Sequence, residues 1–215
     1  MLHVENIDIF IGKHQVLREI SIDVKKGNLT GLIGRNGAGK TTFMRGIMGI
    51  LPVKKGKIFI NDIDVTDKGA HVRAFLNVGY MPEDRRLIPE LTVEENILLP
   101  LFAKNEKNFS SKLSWVYELM PEVEAMAGRK ALQLSGGQQK LVALARAVIN
   151  GDNLLLLDEP FEGVAPALAK RLLEVLRLLK IEGLSIILSE SDYTHSSKIV
   201  DNSYIIERGK IVKNN

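Results

Sequence analysis

Gly34-Arg35-Asn36-Gly37-Ala38-Gly39-Lys40-Thr41-Thr42 is the stretch that decides how the rest of the chain is read. It has the form G-x-x-x-x-G-K-[ST], followed by a second threonine. The run before it, Leu29-Thr30-Gly31-Leu32-Ile33, reads as a buried strand. In the run after it, Phe43 and Ile47, and Met44 and Met48, recur at helical spacing. Strand, glycine loop and helix together turn the pattern into a phosphate site. Gly34, Gly37 and Gly39 let the backbone bend so that successive N–H groups face phosphate oxygens, with Arg35, Asn36 and Ala38 between them. The helix start adds free N–H groups and the positive end of its dipole. Lys40 brings a full charge to β/γ-phosphates, and the hydroxyl of Thr41, beside Thr42, is a ligand for the Mg²⁺ that accompanies a nucleotide.

Two further stretches carry chemistry. Asn153-Leu154-Leu155-Leu156-Leu157-Asp158 reads as an apolar strand ending in acids. It delivers Asp158 and Glu159 to the carboxyl end of a sheet, where ligands of open α/β folds collect. Asp158 suits Mg²⁺, and Glu159 suits a general base for water attacking a γ-phosphate. Leu134-Ser135-Gly136-Gly137-Gln138-Gln139 precedes an apolar helix. Ser135 and Gln138 fit a capping box, which is a sufficient structural reason for them. The same capped start, with two glycines, is also an exposed anion site. One phosphate loop needs no second site for its own nucleotide, so this one suits a nucleotide bound by another subunit.

Working outward, residues 2–25 alternate as strands, and Lys26-Gly27 turns into the strand at 29–33. Pro52 and Lys54-Lys55-Gly56 read as a break before a strand at 57–60, closed by Asn61-Asp62. Val78-Gly79-Tyr80-Met81 is a short buried strand stopped by Pro82. Thr92-Val93-Glu94-Glu95 opens a helix with a capping box, and Leu113, Val116, Tyr117 and Met120 recur at helical spacing as core. Residues 166–182 form an amphipathic helix with Leu168, Leu172, Val175, Leu176 and Leu179 on one face. A strand at 185–188, a helix at 191–200 and strands at 203–206 and 210–213 complete the reading. Strands alternating with helices imply a mainly parallel sheet, with antiparallel strands at the N-terminus.

Composition bounds the function. The chain has 215 residues, a net charge of +3 and 45% hydrophobic residues, enough for a sizeable core. Its basic residues are spread along the chain, which does not support a nucleic-acid groove. With no cysteine, disulfides, thiolate chemistry and cysteine–zinc sites are excluded, and the four histidines show no paired-ligand spacing. The N-terminus lacks the basic start and apolar run of a signal peptide, and no apolar stretch has bilayer length. A cytoplasmic location is expected.

The order of phosphate loop, Leu134-Ser135-Gly136-Gly137-Gln138 and Leu154-Leu155-Leu156-Leu157-Asp158-Glu159-Pro160 resembles an ATP-binding-cassette nucleotide-binding subunit, from about residue 2 to 213. Met81-Pro82-Glu83-Asp84-Arg85-Arg86, Leu91-Thr92-Val93-Glu94-Glu95-Asn96, Trp115-Val116-Tyr117-Glu118-Leu119 and Gly163-Val164-Ala165-Pro166 are similar to the branched-chain amino-acid transporter ATPases. The resemblance implies one ATPase domain over 1–215. Residues 1–83 and 151–215 would form a P-loop NTPase α/β core with an antiparallel β subdomain. Residues 84–150 would form an inserted helical subdomain. It also implies ATP and Mg²⁺ as ligands and hydrolysis coupled to solute uptake. Transmembrane permease subunits, a second ATPase subunit and a peripheral place at the inner face of the cell membrane follow from it. A soluble ATP-gated interaction module and an export-type ATPase are the alternatives; no Asn-Lys-x-Asp guanine motif or second cassette is present.

By the same resemblance, each nucleotide lies between one chain's loop and the other's Ser135, Gly136, Gly137 and Gln138. Glu83 stands where the family usually has glutamine, and as a carboxylate it accepts from Mg²⁺-bound water. The adenine-stacking aromatic falls at Ile11, beside Phe10, and on a strand these two side chains point opposite ways. The family's switch histidine falls at Ser191, with His195 one helical turn on. A serine stabilises γ-phosphate charge less, and Ser191 equally fits a plain helix N-cap. An intact Glu159 beside a missing histidine favours a heterodimer with a related ATPase over a homodimer. Leu87, Ile88 and Pro89, with Val93, Ile97 and Leu98, read either as a docking surface for a transmembrane helix or as core.

Overall fold

Three apolar runs set the centre of the molecule. In the computed structural model, which describes residues 1–107 and 109–214, they are strands β3 (Leu29–Ile33), β7 (Leu154–Asp158) and β8 (Ser185–Glu190), buried at every position. Strands with no exposed face belong inside a parallel sheet covered on both sides. That sheet runs β10-β9-β3-β8-β7-β6, with β6 at Val78–Met81, β9 at Asn202–Glu207 and β10 at Lys210–Asn214. All its pairings are parallel except β9 with β10.

The alternating N-terminal residues form β1 (Leu2–Ile11) and β2 (His14–Val24), which pair antiparallel. With β4 (Val53–Ile60) and β5 (Ile63–Asp64) they make a second sheet, β2-β1-β4-β5. Asn61 and Asp62, both at positive φ (48° and 63°), make the tight β4–β5 turn. The expected break at Lys54–Gly56 is instead inside β4. Gly56 sits at φ 86°, and a Cβ there would meet Glu5 O at 2.2 Å, so the strand bulges against β1 rather than stopping.

Helix α1 (Lys40–Ile47) packs between the two sheets, and a short helix α2 (Ala70–Phe75), not foreseen in the sequence, follows β5. Helices α3 (Val93–Ala103), α4 (Phe109–Leu119), α5 (Pro121–Glu124) and α6 (Gly136–Asn150) come in succession, and α7 (Pro166–Ile181) follows β7. Alternation along the parallel strands divides the core. Leu155, Leu157, Ile186 and Leu188 face α3, α4, α6 and α7. Leu154, Leu156 and Ile187 face α1 and the antiparallel sheet. Gly79 lets α6 close onto β6, because a Cβ there would meet Ala147 O at 2.1 Å.

The predicted amphipathic face of α7 is buried through Leu172, Val175, Leu176 and Leu179, with Leu168 half-buried at its edge. Val93, Ile97 and Leu98 lie in the core, as the core reading of that stretch expects, while Ile88 is 41% exposed. The helix expected at 191–200 is not formed: only a 3₁₀ turn at Ser196–Lys198 is present. Local side-chain bonds win there. Asp192 accepts from Thr194 N at 2.7 Å, and the Ser196 hydroxyl is bonded to Glu190. Ser191 therefore caps no helix.

Candidate active site

Register brings the strand ends together. Asp158 lies opposite Ser189, Leu157 opposite Met81, and Ile33 opposite Glu190. The residues just past these ends, Gly34, Glu83, Glu159 and Ser191, therefore crowd one edge of the sheet. The loop leaving β3 is threaded tightly. A Cβ on Gly34 would meet Ile206 O at 2.3 Å, and Gly39 caps α1 at φ 114°. Gly39 offers no side-chain cap, which leaves the first N–H groups of α1 for the loop's concave side.

That concavity is a cavity of about 330 Å³, lined by Asn36, Gly37 and Gly39 through Thr42 together with Val16, Glu83, Glu159 and Glu162. Lys40 is 5% exposed. Its ammonium pairs with Glu159 Oε1 at 2.9 Å and donates to Arg35 O at 3.2 Å and to Gly34 O. Glu159, the residue after the strand, takes a left-handed φ of 50°, and its N–H donates to Ser189 Oγ at 3.0 Å. A non-glycine residue held at this angle is strained, which is usual where a side chain must be aimed. The Ser191 hydroxyl stands 3.0 Å from Asn36 Oδ1 and 3.2 Å from Glu159 Oε1, and its single proton can go to either.

Asp158 is fully buried. Its Oδ1 accepts from Ser189 at 2.8 Å, while Oδ2 has no partner among the described residues. Burial raises its pKa, and the nearby hydroxyls of Ser189 and Thr41 act against that rise. A buried carboxylate oxygen left unpaired beside a threonine hydroxyl fits a divalent cation. Among the described residues no group of three His, Asp or Glu side chains could cage a metal. That arrangement suits Mg²⁺, which takes one or two protein oxygens and completes its shell with phosphate and water. Glu83 lines the same cavity. Partial burial raises its pKa, and so does its nearness to Glu162, Asp158, Glu159 and Asp84.

Ser135 and Gln138 make the expected capping box at the start of α6, with Gln138 Oε1 accepting from Ser135 N at 2.9 Å. This turn does not reach the Lys40 cavity. Gly136 and Gly137 instead line a second one, of about 450 Å³, with Arg85, Lys140 and Val164. Ile11, 49% exposed, and Phe10 do not line the Lys40 cavity, whereas Val16 does. His195 stacks on Phe161, ring centroids 5.0 Å apart, in a smaller cavity that also touches Glu159 and Ser191. Val16, Ser189 and Lys140 escaped the sequence reading. Only Ser189 carried a signal, as a polar residue directly following the apolar run Ile186–Leu188.

Comparison with known proteins agrees with this geometry. The family model described as ABC transporter matches residues 17–162. The chain is 32% identical over 212 residues to the high-affinity branched-chain amino acid transport ATP-binding protein BraG of Pseudomonas aeruginosa, covering 99% of the chain and 91% of that protein. It is 30% identical over 200 residues to the lipopolysaccharide export system ATP-binding protein LptB of Escherichia coli, covering 92% of the chain and 83% of that protein. The crystal structure of a nucleotide-free ATP-binding cassette from an ABC transporter superposes with a TM-score of 0.87 at 29% identity, covering 100% of this chain and 90% of that one. A phosphate loop, an acid pair at the end of β7 and a capped glycine turn on α6, matched over most of the length of such relatives, place the chain in the ABC transporter family as an ATP-binding subunit.

Proposed function

We propose that the chain hydrolyses ATP in the Lys40 cavity and uses the cycle to power uptake of branched-chain or other amino acids through transmembrane permease subunits. It would sit at the inner face of the membrane, held there by those subunits. The observation that carries the reading is the Lys40–Glu159 pair at 2.9 Å over the buried Asp158. Without nucleotide, each neutralises the other. When phosphate enters the loop, Lys40 exchanges its carboxylate for β/γ-oxygens, and Glu159 is released to act as a base. Glu159 then accepts a proton from water as that oxygen bonds to the γ-phosphorus. The bond to the bridging oxygen breaks, and ADP and phosphate depart. Thr41, Asp158 and Glu83 would hold Mg²⁺, which neutralises developing phosphate charge when bound. Ser191 donates toward Glu159 or the γ-phosphate, and Ile11 or Phe10 lies by the adenine.

Ser135, Gly136, Gly137 and Gln138 serve the nucleotide of a second ATPase subunit; none of the four lines this chain's own loop cavity, and Gly136 and Gly137 line a neighbouring one that shares Glu83 and Glu162 with it. We assign residues 84–150 as the helical part that carries this turn, and residues 1–83 and 151–215 as the core. With serine in the histidine slot, we favour a heterodimer over a homodimer. Uptake is supported by the likeness to a branched-chain transport protein; the likeness to a lipopolysaccharide export protein makes export the alternative direction. Labelled-leucine uptake tests the reading in cells deleted for this chain. Wild type should restore uptake, and Lys40→Ala, unable to hold nucleotide, should leave it at background. Full uptake with Lys40→Ala, or none with wild type, contradicts the proposal.

A further inference from the structure

Lys140 lies in the second turn of α6 and is 7% exposed. A lysine on a helix normally carries its ammonium out to water. This one points inward. Its Nζ donates to Glu159 O at 3.1 Å, to Pro160 O at 3.2 Å and to Glu162 O. An ammonium has three protons, and all three are used on one short loop. Burying that charge is unfavourable and lowers the pKa of Lys140, so the site is kept only because its hydrogen bonds are complete.

The loop so held begins at Glu159. Its N–H is fixed by Ser189 on β8, at 3.0 Å, and its carbonyl by Lys140 on α6. Both peptide planes flanking Glu159 are thereby anchored, from two different elements, around a left-handed φ of 50°. The direction of the Glu159 side chain follows from those two planes. The same helix starts at the Ser135–Gln138 capping box. A shift of α6 therefore pulls directly on the backbone of Glu159.

We propose that Lys140 is a positioning residue for hydrolysis: it ties the backbone of Glu159 to α6, so that the carboxylate is aimed at the attacking water only while α6 is seated. This rests on reading Glu159 as the base. It is separate from the binding of phosphate, which the loop around Lys40 carries out at the other end of the Glu159 side chain.

The test uses the full-length chain with Lys140→Met, which keeps bulk and removes the donors, and Lys140→Arg, which keeps donors. Steady-state ATP hydrolysis and amide hydrogen exchange over residues 160–164 are measured in each. With Lys140→Met, kcat should fall about ten- to hundredfold, the size of effect expected from misplacing a reacting group by an ångström. KM for ATP should stay within about twofold, exchange at Glu162 and Val164 should rise, and Lys140→Arg should recover most of the rate. An unchanged kcat and unchanged exchange in Lys140→Met overturn the proposal. So does a joint collapse of kcat and KM that Lys140→Arg does not rescue, which marks a purely structural role. Wild type without hydrolysis, or Glu159→Gln hydrolysing at the wild-type rate, counts instead against the ATPase reading. Exchange then still decides whether Lys140 holds the loop.

Discussion

Glu190 stands at the end of β8, 4% exposed, with the Ser196 hydroxyl bonded to its carboxylate. Burial lifts its pKa to about 7, further supported by the charges of Asp192 and Glu159, while Ser196 pulls the other way. The unfolded chain would hold this carboxyl at its ordinary value of 4.5. Between those two values the folded state binds more protons than the unfolded one, so Glu190 weakens stability as pH rises from about 4.5 to 7, and its full cost is present above 7. Glu190→Gln keeps the contact with Ser196 and removes the charge. Denaturant titrations should show it more stable than wild type above pH 7, by roughly 1–3 kcal/mol. The advantage should shrink toward zero near pH 5. An advantage independent of pH would show that the charge is not the cause.

At the level of elements, the phosphate-binding helix α1 is secured at its far end by Arg73 of α2, which is 1% exposed. All five of its N–H groups go to carbonyls. Nη1 donates to Gly46 O and Ile47 O at the end of α1, at 2.7 and 2.6 Å. Nη2 donates to Val65 O and Thr66 O, and Nε to Lys68 O. Burial brings the guanidinium down to about 10, so it stays charged at neutral pH. Arg73→Met removes five hydrogen bonds, although Gly46 O and Val65 O keep the backbone N–H groups of Gly49 and Lys68; we expect it to cost about 2–4 kcal/mol in denaturant unfolding. A loss below about 0.5 kcal/mol would mean that water satisfies those carbonyls equally well. Neither Arg73 nor the helix bearing it announced itself in the sequence. A lone arginine reads as surface even beside Val72 and Ala74, and a six-residue helix gives too short a period. The same holds for Lys140, whose inward turn depends on carbonyls supplied 19 to 22 residues later. By contrast β3, β7 and α7 were legible, because unbroken apolar runs and a helical stripe are properties of the segment itself. The missed 191–200 segment failed for the opposite reason. It was read as a helix, but Asp192, Thr194 and Ser196 bond locally or to Glu190 and take the backbone elsewhere.

At the scale of the whole molecule, the sheet gathers residues from four separate stretches onto one edge, and the glycine turn of α6 lines a neighbouring cavity that shares Glu83 and Glu162 with that site. The parts of the site that a motif could specify were readable: the loop, the acid pair and the capping box. The wall around them was not, since Val16 and Glu162 meet the loop only through the packing of β2 and of the segment after β7. A site with serine at position 191 should work beside a related subunit. We therefore expect the purified chain with Mg²⁺ and ATP to stay monomeric by light scattering until that subunit is added. A tight ATP-dependent homodimer hydrolysing at full transporter rate would contradict this. The central claim, that Lys40 hands over to phosphate and leaves Glu159 as the base, is tested most directly by ATP turnover of Glu159→Gln in the assembled complex. The account predicts a fall of at least about a hundredfold, the usual contribution of a general base, with ATP still bound in the cavity. Turnover equal to wild type would contradict it.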